Sequence, residues 1–214
     1  SKTVFYTRQD QQTLRSYRIY KHVLGTNPED DQIVYEEKDD TFSVSVGKTK
    51  SKEYIYIFAG QTMATEMRFI KADQPDAEFK VLQPRERGHE YSADHYGDHF
   101  YIRTNLDARN FALMKTPVNK TEKENWVAVI PNRDDVFFQG FEVFKNHLVV
   151  SERQDGLRKV RVMKWGEDEG YYLNFDEPAY TTGIDVNLEF DTETLRFNYT
   201  SMTTPYSVFE MDMN

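Results

Sequence analysis

Phe42-Ser43-Val44-Ser45-Val46, Tyr54-Ile55-Tyr56-Ile57, Glu66-Met67-Arg68-Phe69 and Phe79-Lys80-Val81-Leu82 follow one another within one short stretch of chain. Each run is short and rich in β-branched or aromatic residues, and polar turn residues separate the runs. That pattern predicts strands, because such side chains fit a pleated, half-buried surface. The order of the four is labelled a, b, c, d.

The same quartet recurs outward in both directions. Strand b returns as Val4-Phe5-Tyr6-Thr7, Phe100-Tyr101-Ile102-Arg103, Leu148-Val149-Val150-Ser151 and Leu195-Arg196-Phe197-Asn198, so that successive starts lie 50, 46, 48 and 47 residues apart. Strand c returns as Tyr17-Arg18-Ile19-Tyr20, Asn110-Phe111-Ala112-Leu113, Lys159-Val160-Arg161-Val162 and Ser207-Val208-Phe209-Glu210, at spacings of 49, 44, 49 and 48. Strand d returns as Ile33-Val34-Tyr35, Trp126-Val127-Ala128-Val129 and Tyr171-Tyr172-Leu173. Strand a returns as Glu90-Tyr91-Ser92-Ala93, Gly140-Phe141-Glu142-Val143 and Gly183-Ile184-Asp185-Val186.

Two independent markers with one period indicate a repeat architecture, and four strands per period indicate a β-propeller. A sandwich would give many strands without that fixed period. The expected fold is all-β: a partial propeller of four-stranded antiparallel blades, incomplete at both ends. The expected division is a b-c-d partial blade over 1–40, blades over 41–87, 88–134 and 135–179, and an a-b-c partial blade over 180–214. The opening Ser1-Lys2-Thr3-Val4-Phe5-Tyr6 already reads as strand, so the terminus is expected to be a cut end. Raw blade edges would invite self-association.

Composition agrees. The 214 residues are 38% hydrophobic and 14% aromatic, with net charge −9. An acidic surface repels phosphate backbones, so no nucleic-acid partner is expected. No apolar run approaches the ~20 residues of a membrane helix, so no membrane partner is expected. There is no cysteine. That removes disulfides and thiolate chemistry and suits a cytoplasmic location, with the periplasm as the other setting.

Catalytic patterns are missing. A serine nucleophile elbow needs Gly-x-Ser-x-Gly. The one glycine pair at that spacing, Gly166 and Gly170, has Asp168 between. His95 and His99 flank a turn in Asp94-His95-Tyr96-Gly97-Asp98-His99. On opposite sides of a hairpin tip they read as surface histidines rather than zinc ligands. No metal and no cofactor is expected. Lys48-Thr49-Lys50-Ser51-Lys52 reads as a solvated basic turn.

Acidic pairs do recur, at Glu36-Glu37, Asp39-Asp40, Asp134-Asp135 and Asp176-Glu177, all in d–a connections. Asp10, Asp107 and Asp155 fall in b–c connections. Strands in a blade alternate direction, so both kinds of connection lie on one face, diluted there by Arg85, Arg87 and Arg133. That face is expected to attract cations. The candidate substrate-facing residues are Asp10, Glu36, Glu37, Asp39, Asp40, Asp134, Asp135, Asp155, Asp176 and Glu177. An ordinary solvated surface accounts for any one of them more simply.

Four stretches carry a resemblance: Ile33-Val34-Tyr35-Glu36-Glu37-Lys38-Asp39-Asp40-Thr41, His89-Glu90-Tyr91-Ser92-Ala93-Asp94-His95-Tyr96, Val149-Val150-Ser151-Glu152-Arg153-Gln154-Asp155-Gly156-Leu157 and Tyr199-Thr200-Ser201-Met202-Thr203-Thr204-Pro205. Together they resemble, in order and spacing over the whole chain, the propeller of the prolyl oligopeptidase family in its oligopeptidase B (protease II) branch. The resemblance implies a parent serine peptidase with a seven-bladed propeller, about five blades of which are present here. It implies an α/β-hydrolase catalytic domain as partner in the same parent chain, and short peptides cleaved after Arg or Lys as substrates. The propeller would cap the active site and exclude folded proteins. The catalytic Ser, Asp and His would lie in the hydrolase domain, so no residue of this chain is assigned a catalytic role. Two rival readings are a stand-alone interaction module and a carboxylate-based glycosidase, which would need two converging acids.

Overall fold

A computed structural model describes residues 2–167 and 169–214. Ser1 and Asp168 lie outside the described residues. Among the described residues, eighteen strands and two single-turn 3-10 segments, Pro28–Asp30 and Lys123–Asn125, make up the regular structure. The strands form five antiparallel sheets in chain order. Sheet 1 holds β1 (Thr3–Gln9), β2 (Ser16–Val23) and β3 (Gln32–Glu36). Sheet 2 holds β4 (Ser43–Lys48), β5 (Tyr54–Gln61), β6 (Ala64–Lys71) and β7 (Lys80–Gln83). Sheet 3 holds β8 (Tyr91–Tyr96), β9 (His99–Thr104), β10 (Ala112–Pro117) and β11 (Val127–Ile130). Sheet 4 holds β12 (Val136–Val143), β13 (His147–Gln154), β14 (Leu157–Lys164) and β15 (Gly170–Tyr172). Sheet 5 holds β16 (Tyr180–Ile184), β17 (Thr194–Ser201) and β18 (Ser207–Asp212). The fold is the all-β partial propeller the period predicts. No helix among the described residues is long and apolar enough to cross a membrane.

The core is layered between consecutive sheets rather than gathered in one mass. Strand β5 shows why. Its even-numbered Tyr54, Tyr56 and Phe58 pack toward sheet 3, against Tyr91, Phe100 and Ile102. Its odd-numbered Ile55, Ile57 and Ala59 pack toward sheet 1, against Ile19. A period of two thus sends both faces of one strand into apolar layers. Strand β13 repeats this, with Leu148 and Val150 facing sheet 3 and Val149 facing sheet 5. Sheets separated by one buried layer each side form a quasi-one-dimensional stack, each depending on its neighbours.

Local chemistry fixes the hairpins. Asp155 and Gly156 hold φ of 52° and 81°, as a two-residue turn between paired Gln154 and Leu157 requires. Bulges recur at one place in three outer pairs, at Ile19/Tyr20, Met67/Arg68 and Leu113/Met114. Each adds twist to its blade. At the second bulge the Tyr91 hydroxyl, from the neighbouring sheet, accepts from the Met67 N–H at 2.7 Å and donates to the Gln83 carbonyl at 2.5 Å.

Three expectations shift: strand a of sheet 5, expected over Gly183-Ile184-Asp185-Val186, runs instead over Tyr180–Ile184. The c strand expected from Asn110 begins at Ala112. Asp107 and Phe111 take φ of 49° and 64°, which extended backbone cannot do, and Asn110 instead donates its amide to the Arg133 and Asp134 carbonyls. His95 is not a surface group: it is 1% exposed, bonded through Nδ1 to Ser51 Oγ at 2.9 Å, with its ring 4.6 Å from that of Tyr54. Burial lowers its pKa.

Candidate functional site

The d–a and b–c connections meet at one end of the sheets, and side chains interlock them. Arg15, from the β1–β2 connection, donates to the Asp39 and Phe42 carbonyls at 3.0 and 2.8 Å. Asn105, after β9, accepts from the Glu90 N–H and donates to the Gly88 carbonyl. Glu177, after β15, accepts from Ser201, Thr203, Tyr199 and Thr204 around the β17–β18 connection.

Most of the candidate acids are engaged within this end. Asp10 accepts from the N–H groups of Gln12 and Thr13 and from the Thr13 hydroxyl, and the Thr13 bonds hold its pKa below the usual range. Glu36 pairs with Arg18 at 3.2 Å. Glu37 is buried. Burial opposes its ionisation, but bonds from Arg85 at 2.6 Å, the Asp39 N–H and the Tyr35 hydroxyl outweigh that and lower its pKa. Asp39 is likewise lowered by the Thr41 hydroxyl and N–H. Asp134 accepts from Asn132, and Asp135 from Gln154 at 2.8 Å. Asp155 forms the β13–β14 turn. The Ser201 hydroxyl leads the bonds that lower Glu177. Asp40 and Asp176 are exposed. The structure joins Glu37 to Glu66 through Arg85, but none of the acidic pairs to another among the described residues.

Two buried centres escaped sequence reasoning. Glu152 on β13 is 1% exposed and gathers Arg133, Arg161 at 3.0 Å and the Tyr172 hydroxyl at 2.6 Å. The signal was positional: Glu152 lies two residues beyond the unbroken apolar run Leu148-Val149-Val150, with Arg161 nearby on the paired strand. The second centre sits at the opposite end, where the a–b connections lie. Lys50, expected to be solvated, has a side chain only 9% exposed. Its ammonium bonds Glu142 and the Asn187 carbonyl, and its N–H donates to Asp94 at 3.0 Å.

Burial disfavours the Asp94 carboxylate and lifts its pKa to about 6, against the N–H bonds from Lys50 and His95. Between about pH 4 and 6 the folded chain therefore keeps a proton that the unfolded chain has released, and stability falls as pH rises through that window. Asp94→Asn keeps the acceptor oxygen without the charge. It is expected to exceed the wild-type chain in stability by about 2 kcal/mol above pH 7, with the gap closing below pH 4. Urea denaturation at both pH values checks this, and equal midpoints at high pH would contradict it.

The carboxylates serve turns and ion pairs, and no group of three or more potential metal-ligating side chains occurs among the described residues. Antiparallel blades with interlocked connections define a propeller. The family profile described as the prolyl oligopeptidase N-terminal beta-propeller domain matches residues 1–214, and the chain belongs to that family. It is 43% identical over 99% of its length to dipeptidyl aminopeptidase BI of Pseudoxanthomonas mexicana, covering 29% of that protein. It is 29% identical over 98% of its length to protease 2 of Moraxella lacunata, covering 30%. Oligopeptidase B from Trypanosoma brucei superposes with a TM-score of 0.91 at 25% identity, over 99% of this chain and 31% of that one. The chain thus spans about 30% of the relatives it matches.

Proposed function

We propose that this chain is the non-catalytic, substrate-gating propeller of a serine peptidase that acts on short peptides. The observation that carries the reading is the whole-chain match to the propeller domain of peptidases more than three times as long. The catalytic Ser, Asp and His then belong to an α/β-hydrolase domain in the rest of such a polypeptide, and this stretch alone is inactive. The absence of Gly-x-Ser-x-Gly supports that division.

For specificity, likeness to oligopeptidase B supports cleavage after Arg or Lys, and exposed acids such as Asp40 and Asp176 suit a basic peptide. The higher identity to dipeptidyl aminopeptidase BI favours a second reading, removal of dipeptides from a free N-terminus. A panel of fluorogenic amides given to the full-length parent separates them. N-blocked Arg and Lys amides are cleaved under the first reading, and unblocked dipeptidyl amides alone under the second. Cleavage of neither would refute the peptidase reading.

A further inference from the structure

Contacts between sheets that are not neighbours concentrate at the a–b end. Lys50 of sheet 2 reaches Glu142 of sheet 4 and the Asn187 carbonyl of sheet 5. Lys52 pairs with Glu189 at 3.7 Å, and the Tyr96 ring of sheet 3 lies 6.3 Å from that of Phe190. All but one of these contacts end on a single segment. The a–b connections 49–53, 97–98 and 144–146 are short, whereas 185–193 is the long one and contains no strand. It is pinned at its far side too, by Lys145, whose ammonium meets Asp191 at 2.8 Å and whose N–H donates to the Phe190 carbonyl at 2.9 Å.

Propeller blades surround a central channel, and β8 and β12, the first strands of sheets 3 and 4, touch each other directly, which puts the first strands β4, β8, β12 and β16 on the channel side. A segment that starts from β16 and is tied to sheets 2, 3 and 4 therefore crosses that axis at its a–b end. The geometry points to 185–193 as a strap across the mouth of the central channel, with Lys50 as the residue that fastens it and so sets the size of peptide that passes. This rests on the peptidase reading above, and it adds where the size limit is set and by which side chain. Lys50 suits the task because a buried ammonium must keep its acceptors: opening the strap leaves it without the Asn187 carbonyl, an energetic penalty that holds the closed state. Val186 and Leu188 are 60% and 76% exposed, so the apolar anchorage of the strap comes from Phe190, which packs with Tyr96 against the layer between sheets 3 and 4, while the Asn187 side chain ties its start to Arg196.

The test uses the full-length parent carrying Lys50→Met, which keeps the side-chain length and removes the charge. Amide hydrogen exchange over 185–193 is expected to rise about tenfold while β5 and β6 stay protected. Cleavage of a long quenched peptide is expected to rise about tenfold relative to a short peptide amide, whose rate stays unchanged. Lys50→Gln, a shorter uncharged side chain, should move both readouts in the same direction and serves if Lys50→Met does not fold. Unchanged exchange over 185–193 in the folded variant overturns the strap. Faster exchange with an unchanged long-to-short ratio overturns its role in peptide size. A wild-type parent that cleaves no short peptide refutes the peptidase reading instead, and leaves the exchange result to judge the strap.

Discussion

Glu152→Ala is expected to lower the unfolding free energy by about 3 kcal/mol, the scale of removing one partner from a buried ion pair. The carboxylate is 1% exposed and receives Arg133, Arg161 and the Tyr172 hydroxyl. Without it, two guanidinium groups lie close together with no anion between them, and Arg161 already has one buried nitrogen unsatisfied. Arg133 is about a third exposed and recovers part of its hydration, which holds the loss below the upper end for such centres. Glu152→Gln should lose less, because the amide oxygen still accepts from Tyr172. Urea unfolding followed by tyrosine fluorescence reads both. A loss within 0.5 kcal/mol of zero, the size of an ordinary surface change, would show that the centre is not what holds sheet 4 together.

The second large effect lies on the strand paired with Glu152. Phe138, opposite Glu152 in register, is 2% exposed and fills the layer between sheets 3 and 4 with Tyr101, Leu113 and Val150. Phe138→Ala is expected to cost about 4 kcal/mol, from the lost burial plus the cavity left in a layer that cannot collapse freely between two sheets. Its backbone is held independently, by its N–H on the Asn110 carbonyl at 2.9 Å and its carbonyl under Arg103 at 3.1 Å, so the cavity should persist. Because Phe138 and Glu152 are direct neighbours, the double variant should depart from additivity by more than 0.5 kcal/mol. Strict additivity, read by the same urea titrations, would contradict that register.

Much of the architecture was legible because it rests on periodicities that sequence carries directly. The spacing of b and c strands located the sheets, and the same spacing placed Asp155 in the b–c connection where it turns the chain. The c strand of sheet 3 was misplaced because the left-handed backbone at Phe111 is imposed by contacts from distant residues, Asn132 and Arg133 among them. His95 was misread although the signal existed. Tyr91, Ala93 and His95 alternate on one face of β8, and the burial of Tyr91 fixes which face that is. Local sequence marked Lys50 as a basic turn residue because its acceptors, Glu142 and Asn187, lie far along the chain. Glu37, Asp39, Asp40, Asp134, Asp135, Asp176 and Glu177 do lie in d–a connections whereas Glu36 ends β3, and the hydrogen bonds of these acids to Arg85, Gln154 and Ser201 depend on three-dimensional neighbours that composition does not reveal.

The proposed division of labour between gate and catalyst is tested most directly by a serine-reactive fluorophosphonate probe on the full-length parent, with the labelled residue located by mass spectrometry. The account predicts one labelled serine outside residues 1–214 and no labelling of this chain on its own. A labelled serine within residues 1–214 would contradict it.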